Sequence, residues 1–192
     1  MPKKIVSLGS NCSVCYHLIN LGLRSQAYPF DWTRLSLGNL NQVLSNRFAG
    51  FTELSIKKFS PAHPIITNGN EDLDGNSGSV ILVNKQNIQF AHEISDPENL
   101  IEFTAGLSRR IERFLSLENP TFVRLETANL TSSQMCEYDK LVGLLDGLFG
   151  NYQLVLISRL KPSNNKIIWV KLESFDSNWK YPSLNWENIF NL

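Results

Sequence analysis

Cysteine is scarce: Cys12, Cys15 and Cys136 are three among 192 residues. They are too few and too unevenly spaced for a disulfide framework. Neither sign of charge is in excess, since Lys+Arg and Asp+Glu both number 18 and the formal net charge is zero. Nucleic-acid binding normally requires a basic surplus, so that class of partner is not expected. Long apolar runs are missing too. No stretch approaches the roughly 18 residues of a membrane span, and the opening Met-Pro-Lys-Lys-Ile-Val holds no signal-peptide core. These absences lead to the expectation of a cytoplasmic chain with free thiols and no membrane partner. The Asn11-Cys12-Ser13 and Asn129-Leu130-Thr131 glycosylation patterns would then be idle. No Gly-rich phosphate loop of the usual spacing occurs, and neither a cofactor nor a metal is expected. Histidine is limited to His17, His63 and His92, which narrows the choice of any general base.

What is present fits an ordinary globular chain, 42% hydrophobic and 19% charged. Its length suits one sizeable core, so residues 1–192 are read as a single domain. Residues 5–8 form a short apolar run ended by Gly9 and read as a buried strand. Ser10 and Asn11 are helix-capping types, after which Val14, Cys15, Leu18, Ile19 and Leu21 recur at helical spacing up to Gly22. Cys12 is thus expected in the first turn of a helix that follows a strand. A weaker helix is expected over 35–48 and a strand over 52–59.

Pro, Gly, Asn and Asp dominate residues 60–78, which read as a long mobile loop. Residues 79–83 and 88–92 suggest a β-hairpin around Asn84-Lys85-Gln86-Asn87. Ser95-Asp96-Pro97-Glu98 reads as a helix start, with Leu100, Phe103, Leu107, Ile111 and Phe114 on one face. Arg109, Arg110 and Arg113 lie off that face, as a solvated surface paired within the helix to residues such as Glu112. Strands at 121–125, 152–157 and 167–172 alternate with a helix capped by Thr131 or Ser132, and residues 186–190 read as a short closing helix. The expected fold is α/β: a central, mostly parallel sheet with flanking helices and an inserted hairpin.

A helix start can activate a thiol, because its free N–H groups and positive dipole end favour the thiolate. Cys12 is therefore the candidate nucleophile and the thiol expected to be alkylated first. Ser10, Asn11 and Ser13 beside it are candidates to hold an oxyanion, together with Arg124 as a substrate-binding alternative. His17, five residues along the same helix, points away from Cys12, and His63 lies in the loose loop. His92 closes a strand and can face a crevice or serve as a structural histidine. Asp31, in the aromatic segment Tyr28-Pro29-Phe30-Asp31-Trp32, is the first choice to orient an imidazole. A turn-capping role suits it equally, and Glu93 and Asp96 are weaker candidates. Arg124 interrupts an apolar strand and needs a partner, Asp31 or Glu126, unless it binds an anionic substrate group.

Residues 5–12 (Ile-Val-Ser-Leu-Gly-Ser-Asn-Cys), the Leu21-Gly22-Leu23-Arg24 turn and Tyr28-Pro29-Phe30-Asp31-Trp32 together resemble the DUF1796 family of papain-like cysteine peptidases. Phe90-Ala91-His92-Glu93 is similar to its histidine segment, and Arg109-Arg110-Ile111-Glu112-Arg113-Phe114 to its basic helix. The resemblance implies Cys12 as nucleophile and His92 as base. It does not supply a third member, so Asp31 rests on the residues alone. It also implies a papain-like α+β fold as the alternative architecture.

Three functions compete at this level. The first is attack of Cys12 on an amide, ester or thioester of a peptide or small molecule, ending in hydrolysis or acyl transfer. The second is thiol–disulfide exchange through Cys12-Ser13-Val14-Cys15. The third is a non-enzymatic accessory domain with an inert thiol.

Overall fold

The computed structural model describes residues 4–57, 81–90, 93–94 and 97–192. The loop expected at 60–78, with His63, and the residues His92, Ser95 and Asp96 lie outside the described residues. In chain order the elements are β1 (Ile5–Ser7), α1 (Ser13–Asn20), β2 (Thr33–Arg34), α2 (Leu37–Ser45), β3 (Leu54–Lys57), β4 (Ile81–Asn84) and β5 (Gln89–Phe90). A 3-10 turn (Pro97–Asn99) leads into α3 (Leu100–Leu115), followed by β6 (Thr121–Leu125), α4 (Ser132–Leu148), β7 (Gln153–Ser158), β8 (Ile167–Lys171) and α5 (Trp186–Phe190).

Four of the strands form a parallel sheet in the order β1-β6-β7-β8. Its central strands read Thr-Phe-Val-Arg-Leu and Gln-Leu-Val-Leu-Ile-Ser, near-continuous runs suited to burial on both faces. Alternation divides them: Phe122, Leu154 and Leu156 face one core, whereas Val123, Leu125, Val155 and Ile157 face another. Helices on both faces of a parallel sheet make the architecture α/β, as the alternation of strands and helices predicts. The papain-like α+β alternative is not the arrangement found.

The expected hairpin is present as β4–β5, with Asn84 Oδ1 accepting the N–H groups of Gln86 and Ile88 at 3.1 and 3.0 Å. It belongs to a small antiparallel sheet in the order β2-β5-β4-β3. A relay of phenylalanine rings joins this sheet to the parallel one. Phe90 meets Phe51, then Phe30, Phe114 and Phe122, with centroids 5.4 to 5.7 Å apart. Such pairs contribute about 0.5–1.5 kcal/mol each beyond burial.

The opposite core joins α1 to the end of the chain. Val14 and Leu18 pack with Tyr181, Trp186, Ile189 and Phe190. Thr131 caps α4 in a reciprocal box with Gln134. The helix expected to begin at Ser95 starts at Leu100, because Pro97–Asn99 winds as a tighter turn. Among the described residues no helix is long and apolar enough to cross a membrane.

Candidate functional site

β1 ends at Ser7, and the chain turns into α1 through Leu8-Gly9-Ser10-Asn11-Cys12. Gly9 and Ser10 both have positive φ, 74° and 82°. At Gly9 this freedom is needed twice over. A Cβ there would stand 2.0 Å from Leu35 Cδ2 and 2.9 Å from Thr33 Oγ1, so β2 and the residue after it press directly on the turn.

Cys12 occupies the N-cap position of α1, one residue before the first helical residue. It stands just beyond the carboxyl end of β1, where open α/β sheets place their ligands. Its backbone carbonyl accepts the first intrahelical bond from the Tyr16 N–H at 3.0 Å. Asn11 Oδ1 accepts the Ser13 N–H at 3.1 Å, and the Ser13 hydroxyl donates to the Trp179 carbonyl. Asn11 and Ser13 are therefore committed to shaping the turn, and the Ser13 amide is already taken. Ser10 is half-buried. The helix closes on Gly22 (φ 67°), with Leu23 N–H donating to Leu18 O and Gly22 N–H to Ile19 O.

An exposed thiol cleft is not what the packing provides. Cys12 is 1% exposed and Cys15 0%, while Cys136 on α4 is the exposed cysteine. The expectation that Cys12 reacts first is therefore corrected on exposure: Cys136 is the accessible thiol. The sequence conceals this because burial of α1 depends on residues far along the chain. Burial also pushes the Cys15 thiol far up from its ordinary value, with the nearby Asp31 carboxylate adding to the effect.

Asp31 is buried. Its Oδ2 accepts from Arg24 Nε and from the Tyr28 N–H, both at 2.9 Å. Burial raises its pKa despite the opposing pull of Arg24, the Tyr28 amide and Arg110. It thus holds the aromatic turn and the exit of α1 together. A second ion pair lies alongside. Arg110 of α3 grips Glu93 through two parallel bonds, Nη1 to Oε1 at 2.5 Å and Nη2 to Oε2 at 3.0 Å. Burial opposes the charge of Arg110, and Glu93 more than offsets that, raising its pKa. The charges of Arg110 and Asp31, and of Glu93 and Cys15, act on one another. Arg113 donates to the Ala27 carbonyl at 2.8 and 3.2 Å. The expected solvated basic face is thus corrected for Arg110 and Arg113, which tie α3 to the segments beside Cys12. Their three-residue spacing at the margin of the apolar stripe was the available signal.

Arg124 is 1% exposed, and its groups are engaged internally: Nε donates to Glu126 Oε1 at 2.6 Å, Nη1 to Leu8 O at 3.0 Å and Nη2 to Leu35 O at 3.2 Å. Tyr138 donates to the same Glu126 oxygen. Of the two readings of Arg124, the geometry follows the structural one with Glu126 as partner. It leaves no exposed surface for a substrate anion. His17, as its helical position predicts, turns away: Nε2 donates to Lys180 O at 2.6 Å, and the ring stacks on Trp186 at 4.4 Å. Among the described residues no group of three His, Cys, Asp or Glu side chains is arranged to hold a metal.

The topology brings three segments together. Thr33 pairs with Phe90 in the β2–β5 ladder, Thr33 presses on Gly9, and Glu93 is fixed by α3. The Cys12 turn, the Asp31 segment and the two flanks of His92 therefore meet in one region. Over residues 3–145 the chain matches the family described as "Putative papain-like cysteine peptidase (DUF1796)". An uncharacterized protein of Acanthamoeba polyphaga mimivirus is 28% identical over 214 aligned positions, covering 96% of this chain and 95% of its own. The match to the family spans Cys12, Asp31, His92 and α3, well over half of the chain, and this protein belongs to the DUF1796 family.

Proposed function

We propose that this protein is a thiol-dependent hydrolase or acyltransferase of the cytoplasm, with Cys12 as nucleophile and His92 as base. The observation that carries this reading is the placement of Cys12 at the head of α1, beyond the carboxyl end of β1. There the helix start favours the thiolate. Family membership supports the pairing with His92. So does the anchoring of the chain on both sides of that residue, at Phe90 by β2 and at Glu93 by Arg110.

The Cys12 sulfur attacks the carbonyl carbon of an amide, ester or thioester in a peptide or small molecule. A C–S bond forms as the bond to the leaving group breaks. His92 takes the thiol proton and passes it to the departing amine, alcohol or thiol. Water or an acceptor nucleophile then cleaves the acyl-thioester, and the thiol is restored. Asp31 orients the imidazole region through the turn that it holds. No metal or cofactor enters these steps, and neither nucleic acid nor membrane is required as a partner.

Thiol–disulfide exchange is the weaker reading. It needs Cys15 to be reached and ionised, whereas that residue is wholly buried with its thiol held protonated. The test is turnover of a panel of p-nitrophenyl esters, acyl thioesters and fluorogenic peptides. Activity should vanish in Cys12→Ala and His92→Ala and persist in Cys15→Ser. Equal loss in Cys15→Ser, with a Cys12–Cys15 disulfide forming readily, would favour exchange instead.

A further inference from the structure

We infer, on the reading of Cys12 as nucleophile, that Arg124 is a positioning residue for its thiol, acting through the backbone carbonyl of Leu8. Leu8 is where the chain leaves the sheet: its N–H donates to Val123 O at 2.9 Å, one residue beyond the β1–β6 ladder. The next peptide is held by Arg124, whose Nη1 donates to Leu8 O at 3.0 Å. The same guanidinium donates through Nη2 to Leu35 O at 3.2 Å and through Nε to Glu126 Oε1 at 2.6 Å. One planar group thus ties the start of the Cys12 turn to the segment that presses on Gly9. Its rigid fork fixes direction as well as distance, which a lysine ammonium does not.

The turn needs such a hold. Gly9 lies at φ 74° and Ser10 at φ 82°. Glycine adopts that region freely and serine does not, so Ser10 keeps it only because the chain is fixed on either side. Toward the helix the fixing contact joins Asn11 Oδ1 to the Ser13 N–H. Toward the sheet it is Arg124 on Leu8, helped by the Gly9 N–H donating to Ser7 Oγ at 3.2 Å. Cys12 stands two residues after Ser10, at the N-cap of α1. Its relation to the N–H groups at the head of that helix is the geometry on which the thiolate depends, and small displacements cost large factors in rate. Arg124 is paired directly with Glu126, so it acts on the thiol by shape rather than by an uncompensated charge.

The experiment follows the pH dependence of iodoacetamide reaction at Cys12 by peptide mass spectrometry in wild type, Arg124→Lys and Tyr138→Phe. The plateau of each profile reports access to the thiol and the midpoint reports its ionisation. Arg124→Lys keeps the charge but cannot hold both carbonyls and Glu126. Its midpoint should rise by about half to one pH unit, or about three- to ten-fold less thiolate at pH 7. Tyr138→Phe removes the other donor to Glu126 and leaves the two carbonyl bonds in place. It should lose stability with its midpoint unmoved, and the exposed Cys136 should keep one profile in all three proteins. An unchanged midpoint in Arg124→Lys overturns the inference. So does an equal rise in Tyr138→Phe, which would mean general loosening of the core. A wild-type midpoint at or above the ordinary value of about 8.5 is a separate failure, since it removes the reading of Cys12 as an activated nucleophile and the inference with it. If Arg124→Lys does not fold, the paired replacement Arg124→Met with Glu126→Leu takes its place. That pair removes both buried charges together and should raise the midpoint in the same way.

Discussion

Asn11 and Ser13 are joined across Cys12: the Asn11 side-chain oxygen accepts the Ser13 amide at 3.1 Å, bridging over the candidate nucleophile. The residue between them is held at φ −81° and ψ −12°, and the helix that follows takes its first bond from the Cys12 carbonyl. The same bridge explains why the flanking polar residues serve the turn before any substrate.

The three thiols should separate cleanly by alkylation. At pH 7, Cys136 should be modified first by virtue of exposure, and Cys15 should stay protected until the chain unfolds. Cys12 should react between them, at least tenfold faster than Cys15 if the helix start favours its thiolate. Time-resolved mass spectrometry of the three peptides measures the order. Cys15 reacting alongside Cys12 would mean that α1 opens as a unit.

Arg124 should be costly to remove. Arg124→Ala leaves Glu126 buried with an uncompensated charge and frees the carbonyls of Leu8 and Leu35, for an expected loss of about 3–5 kcal/mol. Tyr138→Phe removes only one donor to that carboxylate and should cost about 2 kcal/mol. Urea unfolding with an unchanged slope reads both values.

Acid should loosen the link between α1 and the end of the chain. Burial holds the His17 pKa below its ordinary 6.5 in the folded state. Between those values the unfolded chain binds more protons, so this contribution is intact above pH 6.5 and is lost as pH falls through the folded value. Unfolding midpoints measured from pH 7.5 to 5 should decline more steeply in wild type than in His17→Phe, which retains a ring against Trp186 but cannot titrate. Parallel curves would dismiss the contribution.

Gly9→Ala tests the close approach at the turn. The new methyl meets Leu35 and Thr33 and sits at φ 74°, so a loss of about 2–4 kcal/mol is expected. Thermal melting should show it, and Gly22→Ala, with open space around it, should lose only about 1 kcal/mol.

Much of this architecture was legible because the second half of the chain signals it strongly. Continuous apolar runs at β6 and β7, with a capped helix between, leave few alternatives to a parallel sheet. The small sheet was only partly readable. Its hairpin carries turn chemistry around Asn84, but β2 has two residues and no periodicity to detect. At the site, Cys12 was marked by local order, strand then cap then helix. Its burial was not, since Trp179 and Lys180 reach Ser13 and His17 across more than 160 positions of sequence. The pairing of Arg110 with Glu93 was hidden for the same reason: each residue alone is an ordinary surface charge.

The register of β1 carries a consequence for the synthesis of this protein. Ile5 lies opposite Thr121, and among the described residues β6 is the strand that pairs with β1. β1 must therefore wait for β6, more than a hundred residues later in the chain, to be made. At roughly 5–20 residues per second, that delay is on the order of ten seconds. Throughout it Cys12 rides on a segment whose partner strand has not been made, more open to solvent than in the folded molecule, where it is 1% exposed. For this thiol the most exposed moment comes before the fold is complete.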